Sequence, residues 1–189
     1  SNEMTQHRPV LASDRVRFSV HAQNLMPHRR GVAFEFVGEA HVGDELAWTG
    51  TSVYLATRQS LPGEPVRLSR PEAPDAEPSQ AWRLPADLGR RYAAVSGDSN
   101  PIHLYPATAR LFGFPRPIIH GMWTHARALA ALGPRVPERY TVRVSFTKPI
   151  LLPNRVRFAA EPDGDGWRFA VLRGKSDETH MVGELDAAQ

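Results

Sequence analysis

Cysteine is missing from this chain of 189 residues, and only two of its 23 basic residues are lysines. Without cysteine there is no disulfide, no thiolate metal site and no cysteine nucleophile. No apolar run approaches the roughly 20 residues that span a bilayer, and residues 1–10 lack the apolar core of a signal peptide. We therefore predict a cytoplasmic protein that needs no membrane. A net charge of +3 is too small to indicate nucleic-acid binding.

Proline, by contrast, is abundant, and five of the 17 prolines fall between residues 62 and 78. That stretch also carries several acidic residues and few apolar ones, which is typical of a linker. The sequence therefore divides into a first part at residues 1–60, a proline-rich linker at 61–81 and a second part at 82–189.

The first part has the alternating pattern of β-strands. Val16, Phe18 and Val20 alternate with polar residues, and the runs 32–36 and 46–57 are also strand-like. No segment here has convincing helical periodicity. Because a few strands without a helix cover only one face of a sheet, we expect this part to bury that face against something else.

The second part opens with helical periodicity. Apolar residues recur at helical spacing between residues 84 and 95, and Gly97 follows as a stop. A short helix is predicted at 107–112, and an alanine-rich helix at 121–133 has a glycine at each end. From Tyr140 onward the pattern returns to about four strands. This order predicts an α+β fold in which an antiparallel sheet curls around the alanine-rich helix.

The segment between the first two predicted helices carries the residues that could act as an acid or a base. Asp98 and His103 lie five residues apart on a turn rich in Gly, Ser, Asn and Pro. Pro101 stiffens the turn, and Asn100 can hydrogen-bond its own backbone. The two side chains could then face one water. A carboxylate with a neutral imidazole is the minimal pair for activating a water and delivering a proton.

Gly121 stands at the predicted start of the alanine-rich helix. A helix N-terminus offers free N–H groups and partial positive charge, and a glycine lets a ligand carbonyl approach the backbone. Such a site could polarise a thioester carbonyl. His120, one residue earlier, is expected to pack against or bond the preceding loop. His125 is expected in the core or in a tunnel wall, and its spacing from His120 does not favour a metal site.

A known family combines these motifs. The run Tyr92–His103, followed by His120-Gly121-Met122, resembles the hydratase motif of the MaoC-like, (R)-specific enoyl-CoA hydratase and dehydratase family. The segment 144–149 is similar to the strand that follows the helix in that family. The resemblance covers about residues 82–188. It implies a hot-dog fold, a curved antiparallel sheet around a long helix.

The resemblance also implies roles for single residues. Asp98 and His103 match the family's pair that binds and activates the catalytic water. Asn100, which supports the loop, and Gly121, whose N–H holds the thioester oxygen, are candidates for substrate binding. Ser96 is a further candidate, and it could instead bond only the Asp98 loop. The implied reaction adds water to a trans-2-enoyl thioester to give an (R)-3-hydroxyacyl thioester, or reverses that step, without a metal or another cofactor.

The first part resembles the family as well. Double hot-dog members have an N-terminal half that lacks the motif and forms a wall for the acyl chain. Residues 5–54 are similar to the late strands of such a half, whose central helix would lie upstream. The resemblance therefore implies a partial N-terminal hot-dog, and its exposed apolar surface could be covered by a partner in a homodimer. The expected small-molecule partner is an acyl-CoA or an acyl-carrier thioester.

Two other functions stay open from the sequence. A hot-dog thioesterase would use the same fold to hydrolyse the thioester, although it does not need the Asp98–His103 pair. A non-catalytic acyl-CoA-binding or subunit-interaction module would bind an enoyl thioester without turning it over.

Overall fold

The chain folds around one continuous antiparallel sheet. The computed structural model describes residues 1–188. Among them nine strands pair in the order β2-β3-β4-β1-β6-β9-β8-β7-β5. The strands are β1 (Asn2–Gln6), β2 (Val16–His28), β3 (Gly31–Val42), β4 (Glu45–Ala56), β5 (Gln80–Leu84), β6 (Tyr140–Phe146), β7 (Asn154–Asp163), β8 (Gly166–Arg173) and β9 (Thr179–Ala187). The four strands predicted after residue 140 are confirmed as β6 to β9.

Strand β1 joins the two parts of the chain. It pairs with β4 on one side, where Met4 lies opposite Gly50, and with β6 on the other, where Met4 lies opposite Val142. Each strand of a sheet gains stability from its neighbours, so β1 makes one sheet of two predicted halves. Strand β1 has no strand-like pattern in the sequence, because its five residues are mostly polar.

Three α-helices interrupt the strands within residues 1–188, all of them in the second part. They are α1 (Leu88–Ser96), α2 (Pro106–Leu111) and α3 (Gly121–Leu132). Gly97 ends α1 with a left-handed backbone at φ 76°, which glycine adopts at no steric cost. The predicted helix start at residue 84 is wrong, because Leu84 is the last residue of β5 and pairs there with Asn154 of β7. The other two helices are confirmed within a residue or two.

The core lies between α3 and one face of the second part of the sheet. Ala128 and Leu132 of α3 belong to one buried apolar cluster with residues of β6 to β9. The largest members of this cluster include Phe158, Phe169 and Met181, which are fully buried. The small side chains of α3 allow this close approach, so the predicted α+β arrangement of sheet and central helix is confirmed.

The predicted linker forms no helix or strand from residue 57 to residue 79. It first contacts the first part, where Val66 N–H donates to the Pro27 carbonyl at 2.9 Å, and then the second part. Backbone N–H groups of Asp75 and Ala76 donate to a carboxylate oxygen of Glu161, at 3.1 and 3.0 Å. Ser79 N–H donates to the Phe158 carbonyl at 2.9 Å. Strand β5 begins at Gln80, two residues before the predicted boundary at residue 82. The division into domains stays a prediction.

The first part has no helix among its described residues, and it exposes apolar side chains. Val16, Phe18 and Val20 of β2 are 47, 59 and 56% exposed. They alternate along the strand and therefore share one face of the sheet. None of the helices in residues 1–188 has both the length and the apolar character to cross a membrane.

Candidate active site

The loop after α1 holds Asp98 by local hydrogen bonds. Asp98 N–H donates to Ser96 Oγ at 3.2 Å, and Asn100 N–H donates to Asp98 Oδ1 at 3.1 Å. These bonds are the Asx-type pattern of tight turns. The second carboxylate oxygen, Asp98 Oδ2, lies 3.8 Å from His120 Nε2, and the Asp98 side chain is 53% exposed. Ser96 therefore bonds the Asp98 loop, which is one of its two predicted roles.

Asn100 caps the short 3₁₀ turn that carries His103. Its Oδ1 accepts from Ile102 N–H at 3.3 Å, and Pro101 fills the first position of the turn. Proline there removes only an N–H that would have no partner in the turn. Thr108 Oγ1 donates to the Pro101 carbonyl at 2.7 Å. The backbone around His103 is thus fixed on both sides by Asn100 and Thr108, and the predicted contact of Asn100 with a substrate stays a prediction.

His103 is buried in one defined tautomer. Its Nδ1 lies 2.8 Å from the Ile118 carbonyl, so Nδ1 carries the hydrogen and donates it. Burial lowers the pKa of His103 below its ordinary value, with His120 acting in the same direction, while the Ile118 carbonyl and Asp98 act against it. The ring is therefore neutral near pH 7, and its Nε2 lone pair is available as a base.

His120 connects the two candidate catalytic residues. Its Nε2 lies 3.0 Å from the Asp98 carbonyl and therefore donates to it, and its ring stacks on the His103 ring with centroids 3.6 Å apart. The Tyr92 ring also contacts the His120 ring, with centroids 5.0 Å apart and planes at 63°. His120 therefore bonds the loop after α1, whereas the expected partner was the loop that precedes α3. Its contact with the His103 ring was not predicted.

The same three side chains have the composition of a metal site. One ligand atom each from Asp98, His103 and His120 lies within 4.8 Å of the others. However, each histidine already uses one ring nitrogen on a backbone carbonyl. A metal would have to use the remaining nitrogens, and the His103 Nε2 atom would then no longer be a base. The sequence predicted no metal, and a chelation experiment described below tests that prediction.

A cavity of about 340 Å³ opens beside His103 and the start of α3. Its wall includes His103, Gly121, Thr124, Phe146, Lys148 and His180. Gly121 is the first residue of α3, where backbone N–H groups have no acceptor within the helix. A side-chain carbon at this position would lie 3.1 Å from the Phe146 ring. The structure thus brings Gly121 and His103 to one cavity.

The remaining predicted site residues lie outside that wall. Asp98, Asn100 and Ser96 are not among its described lining residues. Ser96 is the last residue of α1, and Asp98 and Asn100 lie in the loop that connects α1 to His103. Sequence reasoning missed Thr124, Phe146 and His180 as wall residues. Phe146 is the last residue of β6 and His180 is the second residue of β9. Only the pairing of these two strands brings both side chains to the start of α3.

A larger cavity, of about 1080 Å³, lies near the paired ends of β5 and β7. Its basic residues are Arg83, Arg155, Arg173 and Lys175. None of the buried histidines lines it, so the smaller cavity is the candidate for acid–base chemistry.

Comparison with known proteins decides the family. The sequence profile described as "MaoC like domain" matches residues 59–182. The chain belongs to the MaoC-like family. The match includes α1 to α3 and most of β6 to β9, so it contains every candidate site residue described above.

Relatives and solved structures agree with this family. The chain is 42% identical over 183 residues to the 3-hydroxyacyl-thioester dehydratase X of Mycobacterium tuberculosis, covering 96% of this chain and 65% of that protein. A crystal structure of HtdX from the same organism superposes with a TM-score of 0.86 at 33% identity, over 99% of this chain and 73% of that one. The predicted hot-dog fold is thereby confirmed.

A shorter match falls on an enoyl-CoA hydratase. The (R)-specific enoyl-CoA hydratase of Aeromonas caviae is 35% identical over 74 residues, which is 37% of this chain and 55% of that protein. The chain thus spans less than two thirds of the length of each curated relative named here.

Proposed function

We propose that this MaoC-like chain catalyses the hydration of a trans-2-enoyl thioester to an (R)-3-hydroxyacyl thioester, and the reverse dehydration. The observation that carries the proposal is the Asp98–His103 pair. It joins a half-exposed carboxylate to a buried imidazole whose Nε2 lone pair is available. The names of the two relatives, a 3-hydroxyacyl-thioester dehydratase and an (R)-specific enoyl-CoA hydratase, support the same reaction.

In the hydration direction the pair would act on one water molecule. Asp98 accepts a hydrogen bond from the water and orients it. His103 Nε2 removes the other proton as the water oxygen bonds to C3. The electrons of the C2–C3 double bond move toward the thioester carbonyl, and the imidazolium then donates its proton to C2. Both new bonds form on the face of the substrate that meets His103, which makes the addition syn.

Gly121 would stabilise the charge that develops on the thioester oxygen. Its N–H lies at the positive end of α3, and a donor aimed at a developing oxyanion is worth about 10²-fold or more in rate. Proline is tolerated at the first position of a helix, so Gly121→Pro removes the N–H without breaking α3. We expect Gly121→Pro to lower turnover well below that of Gly121→Ala, which adds the same Cβ but keeps the donor.

The primary test follows the loss of enoyl absorbance when the protein is added to short and long trans-2-enoyl-CoA. We expect turnover by the wild type and a loss of about 10²-fold or more in Asp98→Asn. Asp165→Asn, in the exposed β7–β8 turn, is the matched control and should keep the wild-type rate. Chiral analysis of the product should give the (R) isomer. A near-native rate in Asp98→Asn would contradict the assignment of Asp98.

The two alternatives give different signals in the same assay. A thioesterase would release free thiol, which a thiol reagent detects, while the enoyl bond stays intact. A non-catalytic module would bind the enoyl thioester without a change in either signal. The neutral imidazole beside a carboxylate favours the hydratase over both.

We also propose that the chain forms a homodimer in the cytoplasm. Two copies would cover the apolar face of β2 around Phe18, which is 59% exposed. The support for the compartment is the amino-acid sequence alone. Light scattering of the wild type and of Phe18→Lys tests the dimer. A monomeric wild type would contradict it, and a mass unchanged by Phe18→Lys would place any interface elsewhere.

A further inference from the structure

His180 is a buried histidine in the wall of the candidate active-site cavity that the proposed reaction does not use. It lies near the start of β9 and is 7% exposed. Its backbone carbonyl accepts from Thr147 N–H at 2.9 Å, so the residue is fixed by the end of β6. His180 and His103 line the same cavity from different elements.

The tautomer of the His180 ring follows from the hydrogen bond of its Nδ1 atom. Nδ1 lies 3.2 Å from the Lys148 carbonyl, so Nδ1 must carry the hydrogen. Burial lowers the pKa of His180, and Arg173 and Lys148 act in the same direction, against the Lys148 carbonyl and the Glu178 carboxylate. The ring is therefore neutral near pH 7, and Nε2 is an acceptor.

That acceptor has no partner in the part of the chain that the structure describes. The Nε2 atom of His180 is buried without a hydrogen bond. A buried polar atom without a partner costs about 1–3 kcal/mol, and most such atoms in proteins are satisfied. A hydrogen-bond donor that enters the cavity would remove this cost. A ligand of this cavity would therefore need an N–H or O–H group to satisfy His180 Nε2.

The position of His180 argues against a role in the acid–base step. Asp98 does not line the cavity wall that His180 shares with His103 and Gly121. Asp98, which holds the water in the proposed reaction, lies in the loop after α1, whereas His180 belongs to the sheet. A donor that meets His180 would be a part of the substrate that does not react.

We propose that His180 Nε2 accepts a hydrogen bond from an amide N–H of the thioester's carrier arm, and that His180 is a specificity-determining residue of this cavity. The inference rests on the proposed function for the substrate class. The two biological carriers of acyl thioesters, coenzyme A and acyl carrier protein, share a pantetheine arm, and its amide groups are the N–H donors next to the thioester. A 3-hydroxyl group is the competing donor, and it is present on only one side of the reaction.

The test compares two thioesters that differ in this amide. Crotonyl-N-acetylcysteamine carries the amide N–H, and S-ethyl thiocrotonate does not. We expect the wild type to prefer the amide substrate in kcat/KM by about 10-fold, with most of the effect in KM, which is the scale of one neutral hydrogen bond. His180→Phe keeps an aromatic ring but removes the acceptor, so kcat/KM should become about equal for the two substrates. His180→Gln restores an acceptor and should recover part of it.

Controls separate this role from a structural one. His21→Phe, on exposed β2, should keep the wild-type preference. An equal loss on both substrates in His180→Phe would mean that His180 only supports the fold, and a preference that survives in His180→Phe would overturn the inference directly. A loss restricted to the dehydration of 3-hydroxyacyl substrates would assign the donor to the hydroxyl group and would also overturn it.

The inference can fail separately from the proposed function. Turnover of both substrates without an amide preference would leave the hydratase intact and remove the role of His180. If the wild type turns over neither substrate, calorimetry with the saturated analogues butyryl-N-acetylcysteamine and S-ethyl thiobutyrate applies the same test to binding. Tighter binding of the amide analogue, lost in His180→Phe, would support the inference, and equal binding would overturn it.

Discussion

His125 should make the stability of this protein sensitive to mild acid. The side chain is almost fully buried in α3 at 1% exposure, and neither ring nitrogen has a hydrogen-bond partner among the described residues. Burial lowers the pKa of His125 to about 4 from an ordinary value of 6.5. Protonation therefore favours the unfolded chain, where the imidazole is in water.

The sign and the size of the effect follow from this difference. Above the unfolded pKa both states are neutral, and His125 does not affect the pH dependence. As the pH falls from 6.5 toward about 4, only the unfolded state binds the proton. Each pH unit is worth about 1.4 kcal/mol. The free energy of unfolding should therefore fall by about 3 kcal/mol across this range through His125 alone.

The assay is urea unfolding followed by tryptophan fluorescence, from about pH 7 to about pH 4.5. His103 and His180 also have lowered pKa values through burial, so the wild-type slope contains several contributions. The difference between the wild type and His125→Leu isolates one of them. The variant should have a flatter pH dependence. It should also be about 1 kcal/mol more stable at neutral pH, because it removes unpartnered buried nitrogens. Parallel pH profiles for the two proteins would refute the reasoning.

Three further predictions concern packing, protonation and metals. Gly183→Val should lower the free energy of unfolding, measured in urea, by about 1–3 kcal/mol. A side-chain carbon there would overlap the Phe169 ring and lie 2.9 Å from Val144 Cγ1. An unchanged free energy of unfolding would show that the sheet moves to accommodate the side chain. On the acid side of the pH profile, kcat/KM should decrease only below the ordinary histidine pKa, because burial lowers the pKa of His103 and only its neutral form is a base. A decrease that already begins above pH 7 would contradict this. Dialysis against EDTA should leave turnover unchanged, and a loss that Zn²⁺ restores would make the Asp98–His103–His120 cluster a metal site.

Local sequence patterns predicted those parts of the fold that depend on nearest neighbours. The alanine-rich α3 ends at Gly133, whose φ of 59° no other residue type adopts as readily. The loop from Asp98 to His103 was predictable because its hydrogen bonds join residues two positions apart. Such contacts depend on a few adjacent residues, so a short stretch of sequence is enough to predict them.

Contacts between distant segments could not be predicted in the same way. Strand β1 is too short and polar to be distinguished from a disordered terminus, and it is ordered by pairing with β4 and β6. His180 reaches the cavity only because β9 pairs with β6, with Phe146 opposite Met181. The single histidine in that strand has no motif around it. Long-range register therefore determines which side chains join the site.

The most direct test of the central claim is a double-mutant cycle on Asp98 and His103. If the two side chains act on one water, Asp98→Asn and His103→Ala should each lower kcat for an enoyl thioester by about 10²-fold or more, and the double variant should be no slower than the slower single variant. Losses that multiply in the double variant would mean that the residues act independently. Near-native turnover in either single variant would contradict the account of this site.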